Sequence, residues 1–375
     1  MVSLIKLIKQ KTLYKKGPSK CLNSDELESI YGIKRNILYI REKEIYDKTD
    51  NEKYNDFIYN KIDVSFESLN PEVFILEFDS GKVWGDGAII TPDGENVIRD
   101  ISVDFGNDSL NHYLIKNQYI KKPKYFKGRV GCAASKGSKT YYHWMFDVLP
   151  RVMLLLEHDK IDYLIVNTFG GRLQEILYPL LEAVKIIEPD EVSHYECEKL
   201  IVPSLVGYSG QPTSRACELI LKAYQNTYRD IDSKSKNRFI YVSRNKAKGR
   251  NLIEEDSLVK ELSKIGFTVV HLERMHWSEQ IRIFSNASFI VAPHGAGLSN
   301  LIFCKEGTKV VEIFNPQYVH WCYWQLSSIR NLLYYPYIEN YNSKYLTHSV
   351  SHCSSYINIT ISKLIEFIIS KKENV

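Results

Sequence analysis

The chain lacks a long apolar run, paired cysteines and a strong charge of either sign, and each absence removes a class of function. No stretch reaches the roughly 18 to 20 continuous apolar residues of a membrane-spanning helix. The seven cysteines (Cys21, Cys132, Cys197, Cys217, Cys304, Cys322, Cys353) are scattered, odd in number and without a C-x-x-C pair, which argues against a disulfide framework and for a reducing, cytoplasmic setting. A net charge of +4 is too small for a dedicated nucleic-acid surface, so no nucleic-acid partner is expected. His271, His276, His294 and His320 show neither H-x-x-x-H nor HExxH spacing, and no metal site is expected of them. What remains is an ordinary globular composition, 375 residues with 44% apolar and 25% charged, long enough for two domains with cores of their own.

At the N-terminus, Lys6, Lys9 and Lys11 interrupt the apolar residues of Met1 to Lys16, which argues against a cleavable signal peptide. Leu4, Ile5 and Ile8 could share a helical face and rest on an anionic membrane, a peripheral contact; a frayed basic terminus is the plainer reading. From Val73 to Asp104 the runs VFILEF, KVWGDGAIIT and NVIRDISV are separated by Asp79-Ser80-Gly81 and Pro92-Asp93-Gly94, the turn chemistry of a small antiparallel β region. Strands are expected at Ile161–Asn167 and Leu200–Pro203, and helices over Arg172–Val184 and from the 207–214 loop to near Tyr228. That alternation implies a parallel sheet covered on both faces. Asp230 to Lys236 is the linker candidate.

After the linker a fresh α/β series is expected. It runs strand Phe239–Ser243, helix Glu254–Ile265, strand Phe267–Leu272, helix Ser278–Ala287, strand at Phe289–Ala292, strand Lys309–Phe314, helix Val319–Asn331 and strand Leu332–Tyr337. Five such strands form a nucleotide-binding type of sheet, with the ligand outside their carboxyl ends. The organisation is therefore 1–232 as an N-terminal domain with a β-rich front, 233–357 as a Rossmann-like domain, and 358–375 as a closing helix free to pack on either.

Three stretches carry chemistry. In 289–314, FIVAPHGAGLSNLIFCKEGTKVVEIF, an apolar strand stops at Pro293, passes through His294-Gly295-Ala296-Gly297 and enters a helix; on local pattern the loop is either a tight structural turn or an anion site at the helix's first N–H groups. Asn300 stands where a dinucleotide fingerprint needs its third glycine, which disfavours NAD, and the Walker and nucleophile-elbow patterns are missing too. Ser243-Arg244-Asn245-Lys246-Ala247-Lys248-Gly249-Arg250 leaves the first strand of the second domain with four positive charges. It is either a solvated face or, at the carboxyl end of that strand, a phosphate site. Glu312, a carboxylate among valines, needs partners if buried. In the first domain, His143, Asp147 and Arg151 fall at i, i+4 and i+8 of a helix, with Pro150 breaking its regularity.

The motifs HWMFDVLPR (143–151), YVSRNKAKGR (241–250), APHGAGLSNLIFC (292–304) and VVEIF (310–314), in this order and at these separations, resemble glycosyltransferase family 61. That family includes bacterial capsule and polysaccharide enzymes, plant xylan-decorating transferases and eukaryotic O-linked glycan transferases. The resemblance, over roughly 73–337, implies an α/β GT-B architecture: two Rossmann-like domains facing a cleft, and inverting transfer from a nucleotide sugar, with UDP the expected nucleotide and no metal. On that template Ser243, Arg244 and Arg250 meet the diphosphate with His294 and the backbone of Gly295, Ala296 and Gly297, while Glu312 accepts ribose hydroxyls. Asp147 is the expected base toward a glycan or glycolipid hydroxyl, with His143 as its orienter or alternative. Arg151, Arg172 and Arg215 are expected on the acceptor side. A noncatalytic nucleotide-sugar or glycan binder and a sugar-phosphate transferase stand as the alternative functions.

Overall fold

A computed structural model of the chain describes residues 14–16, 18, 20–49, 54–55, 67–102, 119–168, 174–181, 183–227, 239–247, 249–339 and 355–372. The linker at 230–236 and the basic terminus up to residue 13 lie outside them. The chain divides into two compact units: Met1–Glu42, Asn70–Gly210 and Arg215–Thr227 form the first, and Lys43–Leu69, Gln211–Ser214 and Tyr228–Val375 the second. Among the described residues no helix is long and apolar enough to cross a membrane.

The first unit is built on a mixed sheet of β1 (Asn36–Tyr39), β2 (Val73–Asp79), β3 (Lys82–Trp84), β4 (Ile89–Thr91), β5 (Lys124–Cys132), β6 (Tyr163–Ile165), β7 (Lys185–Ile187) and β8 (His194–Pro203). Its order is β7-β6-β5-β8-β2-β1, with β3 paired to β8 and β4 to β3. Strands β5 to β8 pair in parallel, while β1 to β4 pair antiparallel. The predicted hairpin region thus joins the parallel sheet through β8 rather than standing apart from it. Phe78, Leu76, Val130, Ile165, Leu200 and Val202 share the unit's core. Helix α1 (Leu149–His158) packs against β8, and α2 (Ser214–Thr227) follows the predicted loop. Of the helix expected over Arg172–Val184, the described residues show Gln174–Leu177 and a 3₁₀ turn at Tyr178–Leu180. Pro179 ends it by withdrawing a helical N–H, and the chain turns into β7, a three-residue strand just past the expected helix and not foreseen from the sequence.

The second unit holds a wholly parallel sheet: β9 (Phe239–Val242), β10 (Thr268–Val270), β11 (Phe289–Pro293), β12 (Lys309–Ile313) and β13 (Leu333–Tyr337), in the order β10-β9-β11-β12-β13. The order reverses between β9 and β11. That reversal is a switch point, where the loops leaving the two strands diverge to opposite faces and open a crevice. The strands read as apolar runs because both faces are covered. One face packs Val291, Val311 and Ile313 with Leu258 and Leu262 of α3 (Glu255–Lys264) and Leu364 and Ile368 of α6 (Ile361–Lys372). Between these in sequence come α4 (Trp277–Asn286) and α5 (Cys322–Ile329). The closing helix α6 belongs to this unit: Lys309 Nζ donates to Lys371 O at 2.6 Å, and Lys372 Nζ to Ile265 O at 2.8 Å.

Packing of α1 on the first sheet depends on Gly131 in β5. A Cβ there would meet Leu155 Cδ1 at 2.9 Å and Ile161 Cδ1 at 3.0 Å. Gly131→Ala should therefore destabilise the first unit by about 1–3 kcal/mol through overpacking, read as a lower urea midpoint at unchanged slope. An unshifted midpoint would show that the two side chains can make room.

Candidate functional site

In the first unit the chemistry sits where the helix geometry changes. Tyr141–His143 is a short α-helical turn, Trp144–Val148 is π-helical, and α1 begins at Leu149. The Leu149 N–H reaches back five residues to Trp144 O, the spacing that defines a π turn. Pro150 then falls in the first turn of α1, where its missing N–H costs nothing. The irregularity expected from Pro150 is thus absorbed as a wider turn, and that turn carries Asp147.

Asp147 Oδ2 accepts from Ser209 Oγ at 2.6 Å and lies 2.8 Å from His143 Nδ1, while Ser209 Oγ is 3.2 Å from the same Nδ1. Ser209 has one hydroxyl hydrogen and gives it to Asp147, so Nδ1 carries the hydrogen that bonds the carboxylate. In a neutral ring that leaves Nε2 unprotonated. The His143 side chain is 25% exposed and that of Asp147 6%, so the histidine is the accessible member. Ser209 was not singled out by the sequence; it lies 62 positions from Asp147, and only its place in a Gly-Tyr-Ser-Gly loop marked it as unusual.

Arg151 does not join this group as an acceptor-side cation. It is 3% exposed, with Nε donating to Pro203 O at 3.0 Å, Nη1 to Ala133 O at 3.3 Å and Ala134 O at 3.1 Å, and Nη2 to Cys132 O at 3.3 Å. Its guanidinium ties together the carboxyl ends of β5 and β8, which corrects the expectation for this residue. Burial pulls its pKa down, with Cys132 and Asp147 opposing. Arg215 pairs with Glu218 at 2.7 Å and lies over the Tyr39 ring at 4.0 Å. Arg172 lies outside the described residues.

In the second unit the loops leaving β9 and β11 meet at the switch point. Arg244 is fixed by Nε and Nη2 donating to Gly249 O at 3.2 and 2.8 Å, and Asn251 Nδ2 donates to Arg244 O at 2.9 Å. Its backbone N–H donates to Glu255 Oε1 at 3.2 Å, an oxygen that also accepts from Tyr241 Oη at 2.8 Å. Ser243, buried at the end of β9, accepts from Asn245 N through Oγ at 3.3 Å. The Arg244 guanidinium lies on Gly295: a Cβ there would be 1.9 Å from Nη1 and 2.6 Å from Cζ. No residue but glycine leaves that space. Gly297 serves packing, since its Cβ would meet Leu272 Cδ1 at 2.7 Å. The helix that follows, Ala296–Phe303, is 3₁₀ throughout rather than α.

Burial, then the neighbouring Arg250, push Arg244 down to about 10. Two guanidinium groups crowded in this way, one of them largely removed from water, favour an anion. Arg250 sits in the left-handed region at φ 57°, with its Cζ 5.4 Å from the Tyr318 ring centre. Beside them His294 is enclosed by aromatic rings: Phe314 stacked at 5.3 Å, Tyr323 at 5.4 Å, Tyr318 at 5.6 Å and His320 at 6.2 Å. Tyr318, Tyr323 and Glu255 were not foreseen, and His320 was weighed only as a metal ligand; for the three aromatic rings the run QYVHWCYW at 317–324 held the signal, as aromatic density just past a strand.

Glu312 departs from its expected part. It is 0% exposed; Oε1 is 2.5 Å from His294 Nδ1, and Oε2 accepts from Tyr334 Oη. Both oxygens are engaged within the protein, so the carboxyl group is placed to hold the His294 ring rather than to meet a ribose. Burial pushes its pKa well above the carboxylate range, with Tyr334 and Arg250 opposing.

Residues 141–311 match the family model described as Glycosyltransferase 61. The EGF domain-specific O-linked N-acetylglucosamine transferase of Drosophila melanogaster is 31% identical over 136 residues, 35% of this chain and 25% of that protein. Its Gallus gallus counterpart by description is 29% identical over 90 residues, 23% of this chain and 17% of that protein. The chain therefore matches about a quarter or less of the length of these relatives. Among solved structures, the dodecameric iron-containing heptosyltransferase TibC in complex with ADP-D-β-D-heptose aligns over 71% of this chain and 84% of its own, at 12% identity and a TM-score of 0.32, where the likeness carries no argument. On the family match and the motifs it spans, from His143 and Asp147 through Arg244 to His294 and Gly295, residues 141–311 of the chain are similar to the glycosyltransferase 61 family.

Proposed function

We propose that the chain is an inverting glycosyltransferase that moves a sugar from a nucleoside diphosphate, UDP by family expectation, to a hydroxyl of a glycan or glycolipid acceptor in polysaccharide synthesis. The observation that carries this reading is Arg244 lying on Gly295 at the switch point of a parallel sheet, with Arg250 and His294 beside it. The second unit supplies the donor site and the first supplies the base, within the GT-B layout that the family implies. The acceptor named for the curated relatives, an EGF domain, is theirs. We place the work at the cytoplasmic face of a membrane, with the basic N-terminus as a peripheral contact.

In the reaction the acceptor oxygen attacks the anomeric carbon as that carbon's bond to the diphosphate oxygen breaks. The leaving UDP takes the electron pair and gains charge, so guanidinium groups already fixed in place act most strongly in the transition state. They take the part that a divalent cation would otherwise play. The acceptor proton passes to Nε2 of His143. Asp147 and Ser209 hold the ring with Nδ1 protonated and stabilise the imidazolium that forms. Asp147, the expected base, is thus the orienter and His143 the base.

Incubating the protein with UDP-sugars and a glycan acceptor should release UDP. Release of UMP would replace this reading with sugar-phosphate transfer, and no release with a binding protein. Asp147→Asn should keep donor binding but lower kcat on the order of 10²- to 10⁴-fold, because an amide donating to Nδ1 moves the ring hydrogen to Nε2; normal turnover would remove the pair from the mechanism. Gly295→Ala should displace the Arg244 guanidinium and weaken UDP binding about 10- to 100-fold by calorimetry, the loss of a charge-assisted contact. Unchanged affinity would mean that Arg244 does not touch the nucleotide.

A further inference from the structure

We propose that His294 is a fixed hydrogen-bond donor to a phosphate oxygen, because the His294–Glu312 pair shares one proton without net charge and the imidazole Nε2 therefore always carries a hydrogen. Glu312 is then a positioning residue that acts through His294. This rests on the donor-site reading above and assigns the part each group plays in it.

The argument is a count of protons. His294 Nδ1 and Glu312 Oε1 are 2.5 Å apart, a separation at which one hydrogen must lie along the line. Because Oε2 accepts from the Tyr334 hydroxyl, a proton on Glu312 belongs on Oε1, and three arrangements satisfy the separation. A proton-bearing Glu312 can donate to Nδ1, which leaves a neutral ring with hydrogen on Nε2. An ionised Glu312 can accept from a doubly protonated ring, again with hydrogen on Nε2. The third, an ionised Glu312 with a neutral ring protonated on Nδ1, leaves Nε2 bare and the pair with a net negative charge.

The surroundings disfavour that third arrangement. Glu312 has no exposed surface and lies in a strand between Val311 and Ile313, where an unbalanced charge is expensive. Among the described residues, the groups facing it include Tyr334, Tyr54, Tyr323, Cys322 and Arg250 besides His294. Burial holds Tyr334, Tyr54, Tyr323 and Cys322 neutral, so Arg250 alone among them brings positive charge, and its influence on Glu312 ranks below those of burial and Tyr334. A bare Nε2 would also turn a lone pair toward an anion. A bound phosphate, by drawing on Arg250, favours the two arrangements that keep the hydrogen. Tyr334, donating to the far oxygen of Glu312, fixes the carboxyl group so that its other oxygen stays on Nδ1.

The consequence runs against what a buried carboxylate suggests. A glutamine at 312 can place its amide nitrogen toward Nδ1 and its carbonyl toward the Tyr334 hydroxyl, which preserves both bonds and the hydrogen on Nε2. Glu312→Gln should bind UDP within about threefold of the unchanged protein, whereas Glu312→Leu, which leaves Nδ1 without a partner, should lose about tenfold or more. Nitrogen-15 histidine spectra read the ring directly. His294 should show protonated Nε2 in the unchanged protein and in Glu312→Gln, its signal assigned by loss in His294→Gln or by contacts to Phe314 and Tyr323. Glu312→Gln losing as much affinity as Glu312→Leu, or a bare Nε2 in the unchanged protein, overturns the proposal. The spectrum needs no ligand and no variant, so failure of UDP to bind would sink the donor-site reading while the ring's proton is still decided.

Discussion

A guanidinium resting on a bare peptide holds the second unit's functional loops in register. Arg244 leaves β9, Gly295 leaves β11, and contact at the reversal of strand order lets the two loops share one ligand. The contact has two requirements. Position 295 must have no side chain, and Arg244 must be held from behind, which Gly249 O, Asn251 and Glu255 do. The sheet sets the strand ends, the loop carbonyls set the arginine, and the unsatisfied charge that results is the property an anionic ligand would use.

Two histidines each turn Nδ1 to a carboxyl group, and their surroundings give them opposite duties. In the first unit Asp147 receives a hydroxyl as well as the ring hydrogen, near the buried Arg151 cation, in a turn where His143 meets solvent. Its oxygen accepts from both, and on the proposed mechanism the ring's outer nitrogen is the base. In the second unit Glu312 is sealed among tyrosines and valines, and on the proposal above the pair is neutral and the outer nitrogen a donor. Both carboxyl groups are buried, and the two pairs differ in the exposure of the histidine and in the groups around the carboxyl.

The parts of this structure visible in the sequence are those with local causes. The five strands of the second sheet, the hairpins after Val73 and the loops at His294 and Arg244 follow from apolar periods and glycine or proline punctuation, which act within a few residues. What escaped notice depends on distant partners. Glu312 could not be placed without Tyr334, 22 positions on. Arg151 looked like a polar helix face until the carbonyls of β5 and β8 came to surround it. The π turn is a compromise between Pro150 and the packing of Trp144, and a regular period cannot show it. Strand β7, at Lys185–Ile187, is only three residues long and carries too short a period to be read.

The stretch Lys43–Leu69 leaves the first unit's sequence to pack in the second before the chain returns at Asn70. Trp324 Nε1 donates to Asp47 O at 2.7 Å across 277 positions, and Tyr54 stacks on Phe314 with ring centres 5.9 Å apart. During synthesis this early stretch emerges long before the residues it rests on. The second unit therefore cannot close vectorially as it leaves the ribosome. Its buried Tyr54 is made 260 positions ahead of Phe314 in a chain of 375, and that interval is when a chaperone would have something to hold.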